Sequence, residues 1–197
     1  MMQTASISSL SSPFSDYDRW SNLDNLHSNW NRRTERIARY IPKQTTVIDL
    51  GAGSRYLEQC LDASCRYIPA DLVDRGDGTI VCDLNGRPLP DFQGDRPDIV
   101  VLGGVLVYLT DAIGIVRWLS GQCSRCIISY NCVKSCPSTD SWVEEMALRN
   151  RWGCVNHFTE TEVLDLLQIG GFEIVDGEIW RDRHLEEWIF VCQNHHN

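Results

Sequence analysis

The stretch Val47-Ile48-Asp49-Leu50-Gly51-Ala52-Gly53-Ser54-Arg55 constrains this chain more than any other. A short β-branched and apolar run closes on an acidic residue and then breaks into alternating glycines, the signature of a buried parallel strand followed by a tight turn. Gly51 and Gly53 carry no Cβ, so the backbone there can turn sharply and let a ligand come close. The turn opens a helix expected over Arg55 to Leu61, and free backbone N–H groups are expected at the strand's C-terminal end, where open α/β sheets bind ligands.

The rest of the chain supplies the partners such a strand needs. Cys65 to Pro69 reads as a second strand ending in Ala70-Asp71, and Ile80 to Cys82 as a brief third closed by Asp83-Leu84. Asp98 to Gly103 is apolar enough for the centre of a parallel sheet and ends in Gly103-Gly104. Asp111 caps a helix to about Leu119, and Cys126 to Tyr130 is a fifth strand. Asp140 to Arg151 reads as helical, and Thr159-x-x-Glu162 is a capping box opening a helix stopped by Gly170-Gly171. Phe172 to Trp180 and Glu187 to Gln193 follow each other without a crossover helix, which makes them an antiparallel pair. The fold class is therefore α/β: a doubly wound, mostly parallel, seven-stranded sheet with a C-terminal antiparallel hairpin.

Ahead of the sheet, residues 1–18 are rich in Ser without periodicity and read as a mobile tail, or as a lid that orders on binding. Residues 19–42 read as a helical cap, with one helix from Ser21 to Tyr40 whose apolar stripe is Leu23, Leu26, Trp30, Ile37 and Ile41. Arg32, Arg36 and Arg39 share another face, and Pro42 ends the helix. Residues 43–197 form the sheet domain.

Charge and cysteine content narrow the function. A net charge of −9 argues against a nucleic-acid partner, which needs a broad basic face. No apolar run is long enough to cross a bilayer and no signal peptide opens the chain, so a soluble, cytoplasmic protein is expected. Nine cysteines raise the question of a metal. However, Cys126 and Cys132 are separated by roughly 20 Å if the strand between them is extended, too far for one ion to bridge with Cys123 and Cys136. No metal site is expected, and the cysteines read as small, half-buried residues in a reducing compartment.

Asp71 stands twenty residues beyond Gly51, where dinucleotide- and nucleoside-binding α/β folds place the carboxylate that accepts from a ribose diol. In motif order and strand order, Val47 to Gln193 resembles the class I S-adenosylmethionine-dependent methyltransferases. Asp49-x-Gly51-x-Gly53 looks like the family's first motif, Asp71 like its second-strand acid, Asp83-Leu84 like the motif beside the adenine, and Asp98 to Gly104 like the fourth motif. Gly170-Gly171-Phe172 is similar to the turn before the last hairpin. Arg55 stands where many members have a third glycine, and Val107-Tyr108 where an acid and a His or Tyr often appear. The NAD fingerprint would need glycine at 56, which is Tyr56 here.

The resemblance implies S-adenosyl-L-methionine as cofactor and methyl transfer to a small-molecule acceptor. It implies Asp49, Gly51, Ala52 and Gly53 along the methionine and ribose parts, Asp71 on the ribose hydroxyls, and Asp83 on the adenine amino group. Leu72 and Leu84 would pack on the base, and Gly103 and Gly104 would approach the sulfonium. A base is needed only if the acceptor loses a proton during attack. His157, in the connection before Thr159, is the candidate. Tyr108, Tyr130 and Asn131, at strand ends on the same side, are candidates for binding the acceptor. Trp20, Trp30, Trp142 and Trp152 flank the site in sequence; core packing is the default reading for each, and a wall for a planar or apolar acceptor the alternative. The competing readings are a protein or RNA methyltransferase docking through the arginines, and a non-catalytic nucleoside-binding protein of the same fold. The oligomeric state is not legible in the sequence.

Overall fold

The structure is a computed structural model that describes residues 15–95, 97–134, 138–182 and 185–195. Seven strands form one sheet: β1 (Thr46–Leu50), β2 (Arg66–Asp71), β3 (Ile80–Val81), β4 (Ile99–Gly103), β5 (Arg125–Tyr130), β6 (Phe172–Asp182) and β7 (Leu185–Asn194). Their order is β3-β2-β1-β4-β5-β7-β6. β7 runs antiparallel to both of its neighbours, and the other pairings are parallel. Both hairpin strands extend beyond their expected limits, and part of the turn between them lies outside the described residues.

Side chains alternate across the sheet and give it two cores. On one face Ile48, Leu50, Val100, Leu102, Cys126 and Ile128 pack against α4 (Ala112–Ser120) and α6 (Glu160–Ile169), through Ile115, Val116, Leu119, Val163 and Leu167. On the other, Val47, Ile99, Val101, Ile127, Ile189 and Val191 pack against Ile37 of α2 (Asn31–Ala38) and Leu57 of α3 (Tyr56–Cys60). Asp111 caps α4 by accepting from Gly114 N at 2.9 Å. Both halves of the capping box expected at Thr159 are present at the start of α6. A further helix, α5 (Thr139–Arg151), buries only Arg149.

The N-terminal region departs from expectation. The single helix over Ser21 to Tyr40 is broken: a short helix α1 (Tyr17–Ser21) and two 3-10 turns (Leu23–Asn25 and Ser28–Trp30) precede α2. Two Asn residues explain part of the break. Asn22 accepts from Asp24 N at 3.0 Å, and Asn25 donates to Arg19 O at 2.7 Å, so side chains take backbone bonds that a helix would have used. Leu23, expected in the apolar stripe, is 68% exposed. The part of the expected tail that is described, from Ser15, is bonded into the structure. Asp16 caps α1, and Ser15 Oγ donates to Asp83 at 2.6 Å; residues 1–14 lie outside the described residues. Ile37 is 1% exposed, so the cap shares the sheet's core.

β6 is the free edge of the sheet; its register shifts between Ile174 and Asp176. No described helix is long and apolar enough to cross a membrane. The capping box gives a direct test of the α6 boundary: Thr159→Ala is expected to cost about 1 kcal/mol. In thermal denaturation that lowers Tm by about 2–4 °C, and an unchanged Tm would show that the cap contributes nothing.

Candidate functional site

At the C-terminal ends of β1 and β4, where the chain turns to opposite sides of the sheet, lies a cavity of about 490 Å³. That volume is in the range that holds a cofactor-sized molecule. Its wall contains Asp49, Gly51, Ala52, Gly53, Asp71, Leu72, Leu84, Gly103, Gly104, Tyr108, Tyr130 and Asn131. The sheet thus brings together twelve of the fourteen residues singled out from the sequence, and leaves out Asp83 and His157.

The glycine turn is tied to β2. Gly51 N and Ala52 N both donate to Ala70 O, at 2.7 and 3.1 Å, and Gly53 N donates to Asp71 Oδ2 at 2.8 Å. The free N–H groups expected there are therefore occupied, and what the turn offers a ligand is bare backbone. Gly51 has φ +78° and Gly53 φ +52°, and a Cβ on Gly51 would collide with Val105. Arg55, which stands where many members of the resembled family have a third glycine, also sits in the left-handed region at φ +57°, at a cost of about 1 kcal/mol for a side-chain-bearing residue. Its guanidinium is held by Glu58 and by Asp77 O.

Asp71 is 6% exposed at the end of β2. It accepts from Gly53 N and from Val73 N at 3.0 Å, and pairs with Arg75 at 3.2 Å. A carboxylate has about four acceptor positions, so Asp71 holds the turn and keeps acceptor capacity toward the cavity. Asp49, at the end of β1, is also 6% exposed. Loss of hydration pushes its pKa up to about 6, the Asp71 charge adds to the rise, and the hydrogen bond from Tyr67 Oη at 2.9 Å and the Arg33 charge oppose it.

Asp83 does not line the cavity. Ser15 donates to it from both Oγ and N, and Asn85 N donates at 2.9 Å; Ser15, Cys82 and Leu84 stand on the wall. His157 is likewise outside the wall. Its Nδ1 accepts from Arg149 Nε at 3.0 Å, and burial, followed by the Arg149 charge, lowers its pKa. It holds Arg149, which in turn donates to Asn131 O and Asn156 O. His157 is not among the residues that line the cavity, and its expected role as general base is not taken up in the proposal below.

The acceptor candidates line the cavity but differ in what they can offer. Tyr130 Oη donates to Asn156 Oδ1 at 2.6 Å and accepts from Phe158 N at 2.9 Å. Asn131 Nδ2 donates to Glu186 O at 2.6 Å. Both are committed to internal bonds. Tyr108 packs edge-on against Trp20 with centroids 4.7 Å apart, and burial drives its pKa up, so the phenol stays protonated. Trp20, Trp30 and Trp152 are on the wall; Trp142 is not.

Sequence reasoning missed the wall's charged pair, Arg33 and Glu187. Arg33 Nη1 donates to both Glu187 oxygens at 3.1 and 3.2 Å, and Ser129 Oγ to Glu187 at 2.7 Å. The signal was present: Arg33 lies in the apolar stripe between Trp30 and Ile37, and Glu187 alternates with Ile189 and Val191. The three arginines of the opposite face are not on the wall, and Arg36 pairs with Glu178. Among the described residues no three His, Cys, Asp or Glu side chains are grouped to hold a metal ion; Cys136 lies outside them.

The buried carboxylate of Asp49 has a consequence for stability. Its folded-state pKa is above the usual carboxylate value, so the unfolded chain releases this proton first and stability falls as pH rises from about 4 through 6. Asp49→Asn keeps an acceptor for Tyr67 and carries no charge. We expect it to exceed the parent in stability at pH 8 by about 1–3 kcal/mol, with the gap closing toward pH 4. Denaturant titration at the two pH values checks this, and a gap independent of pH would contradict it.

No protein-family model matches the chain, and no curated protein matches it. Solved structures do. The mitomycin 7-O-methyltransferase aligns at TM-score 0.64 and 17% identity over 87% of this chain, which spans 56% of that enzyme's length. The Burkholderia thailandensis 1,6-didemethyltoxoflavin-N1-methyltransferase, with bound S-adenosylhomocysteine, aligns at 0.65 and 16% over 86% of this chain and 80% of its own. The magnesium protoporphyrin IX methyltransferase of Synechocystis PCC 6803, also with bound SAH, aligns at 0.67 and 15% over 90% and 94%. The strand order, the glycine turn and these alignments agree: the chain has the fold of the class I methyltransferases.

Proposed function

We propose that this protein is an S-adenosyl-L-methionine-dependent methyltransferase acting on a small-molecule acceptor. The observation that carries the reading is Asp71, buried at the end of β2, bonded to the glycine turn and facing the same cavity. Its remaining acceptor capacity suits a ribose diol. Leu72 and Leu84 offer apolar surface for a base, and the side-chain-free corner at Gly51 and Gly53 admits the chain of atoms between sugar and sulfur. The residues present therefore fit the cofactor.

When bound, the cofactor supplies an activated methyl on a sulfonium, so the protein's part is to align the acceptor and keep water out. Trp20, Trp30 and Trp152 present flat apolar surface for that purpose, and Tyr108 presents a protonated hydroxyl as donor. The N-terminal segment favours a small acceptor over a macromolecule, because it stands across the cavity. Ser15 is bonded to Asp83, Arg75 donates to Trp20 O at 2.5 Å, and Arg19 donates to Arg151 O at 3.3 Å. The aligned enzymes named for mitomycin, toxoflavin and protoporphyrin substrates point the same way.

S-adenosylhomocysteine at a hundred times its dissociation constant should stabilise the folded chain by about 2.7 kcal/mol, raising Tm by roughly 5–10 °C. Differential scanning fluorimetry with the compound and with adenosine as control reads this. An unmoved Tm at millimolar ligand would overturn the cofactor assignment. Binding with no methyl transfer to any small-molecule fraction, assayed with labelled cofactor, would favour the non-catalytic reading.

A further inference from the structure

Arg75 joins the carboxylate at the end of β2 to the backbone of the N-terminal segment. Its side chain is 5% exposed and lies on the cavity wall. On one side Nε stands 3.2 Å from Asp71 Oδ1, and on the other Nη2 donates to Trp20 O at 2.5 Å. The first is a contact of charges without an aligned hydrogen bond: the Nε donor is buried and has no hydrogen-bond partner among the described residues. A guanidinium is a rigid planar fork, so a rotation that brings Nε into line with Asp71 also moves the prong that holds Trp20.

The segment it reaches is held differently from the rest of the fold. No residue from Ser15 to Trp30 is buried, whereas α2, which follows directly, buries Arg33 and Ile37. Yet Ser15, Trp20, Leu26 and Trp30 stand on the cavity wall, and Leu26 Cδ2 is 3.6 Å from where a Cβ on Gly53 would lie. A stretch that covers a cavity without entering a core depends on discrete contacts, and regions with few buried apolar contacts open at low free energy. The contacts that tie it to the sheet domain include Ser15 with Asp83 and Asn85, Arg19 with Arg151 O, and the edge of Trp20 on Tyr108. Among these ties, the one through Arg75 also reaches Asp71.

We propose that Arg75 is a positioning residue that couples an occupied ribose site to closure of residues 15–30, which act as a strap over the bound ligand. The proposal rests on the adenosyl reading above, since the group that meets Asp71 is the ribose diol. A sugar seated on Asp71 displaces water from the carboxylate and from the guanidinium beside it, and both Arg75 contacts strengthen as the local dielectric falls. The closed strap in turn holds the sugar on Asp71, because a coupling between two sites acts equally in both directions. Trp20, whose carbonyl Arg75 holds, is also the residue packed on Tyr108, so the same closure completes the aromatic wall offered to the acceptor.

Hydrogen–deuterium exchange of the full chain, read by mass spectrometry with and without saturating S-adenosylhomocysteine, separates the strap (residues 16–30) from the glycine turn (residues 50–54). In the parent the ligand is expected to slow exchange in both, by about fivefold or more in the strap. Arg75→Met should keep the slowing at the glycine turn and lose it in the strap. Arg75→Lys keeps a cation beside Asp71 but has no second prong for Trp20 O. It should therefore bind the ligand more tightly than the Met variant in isothermal titration without restoring the slowing in the strap, and it carries the comparison should the Met variant not fold. A residue that only supports the fold would change both segments together, with or without ligand, and that outcome overturns the proposal. Slowing in the strap that survives the substitutions overturns it as well. Slowing at the glycine turn of the parent with none in the strap removes the closure and leaves the adenosyl reading standing; no slowing in either segment and no binding by titration remove both.

Discussion

β1 has β2 on one side and β4 on the other, and the chain leaves it in one direction through β2 and β3 before returning to build β4 and β5 in the other. Parallel strands joined by right-handed crossovers have no other way to change direction without opening a gap above the reversal. The gap is the cavity, and much of the site is a consequence of it. Asp49 and Gly51 come from the strand at the reversal, Asp71 from the neighbour on one side, Gly103 and Gly104 from the neighbour on the other. Two short parallel ladders are enough to place these groups around one cavity.

Charge is placed inside this structure at some expense. Asp49, Asp71, Arg33 and Glu187 are each at most 8% exposed. Burying a carboxylate or a guanidinium costs several kcal/mol even after relaxation, and partners recover this only when the geometry is good. Asp71 is well supplied, with two backbone N–H groups and Arg75. Asp49 is poorly supplied, with one phenol and a distant cation. The contrast sets the two apart: Asp71 organises the glycine turn, and Asp49 takes one hydrogen bond among the described residues.

The strands were legible because burial on both faces writes continuous apolar runs into the sequence, as at Ile99 to Leu102. The helix caps were legible because their side-chain chemistry is local, as at Asp111 and Thr159. What the sequence did not show was decided by particular side-chain contacts. Asp83 follows its strand, and Ser15, which donates to it across 68 residues, stands on the wall where Asp83 does not. His157 accepts from Arg149 and also stands off the wall. The N-terminal helix had an acceptable period, and Asn22 and Asn25 undid it by bonding to the backbone locally. Arg33 was hidden for the opposite reason: a cation within an apolar stripe was passed over in favour of a cluster of cations on the polar face, although the exception in the stripe carried more information than the cluster.

The long strand at the other limit of the sheet also has a consequence. Among the described residues, no strand lies beside the outward edge of the eleven residues of β6, the arrangement most prone to recruit a second molecule. The shift in register between Ile174 and Asp176 spoils the straight ladder a newcomer would need, and Glu173, Asp176 and Glu178 set negative charge along the same border. A second copy sliding into line would bring matching carboxylates face to face. The strand that completes the sheet is thereby also built to terminate it.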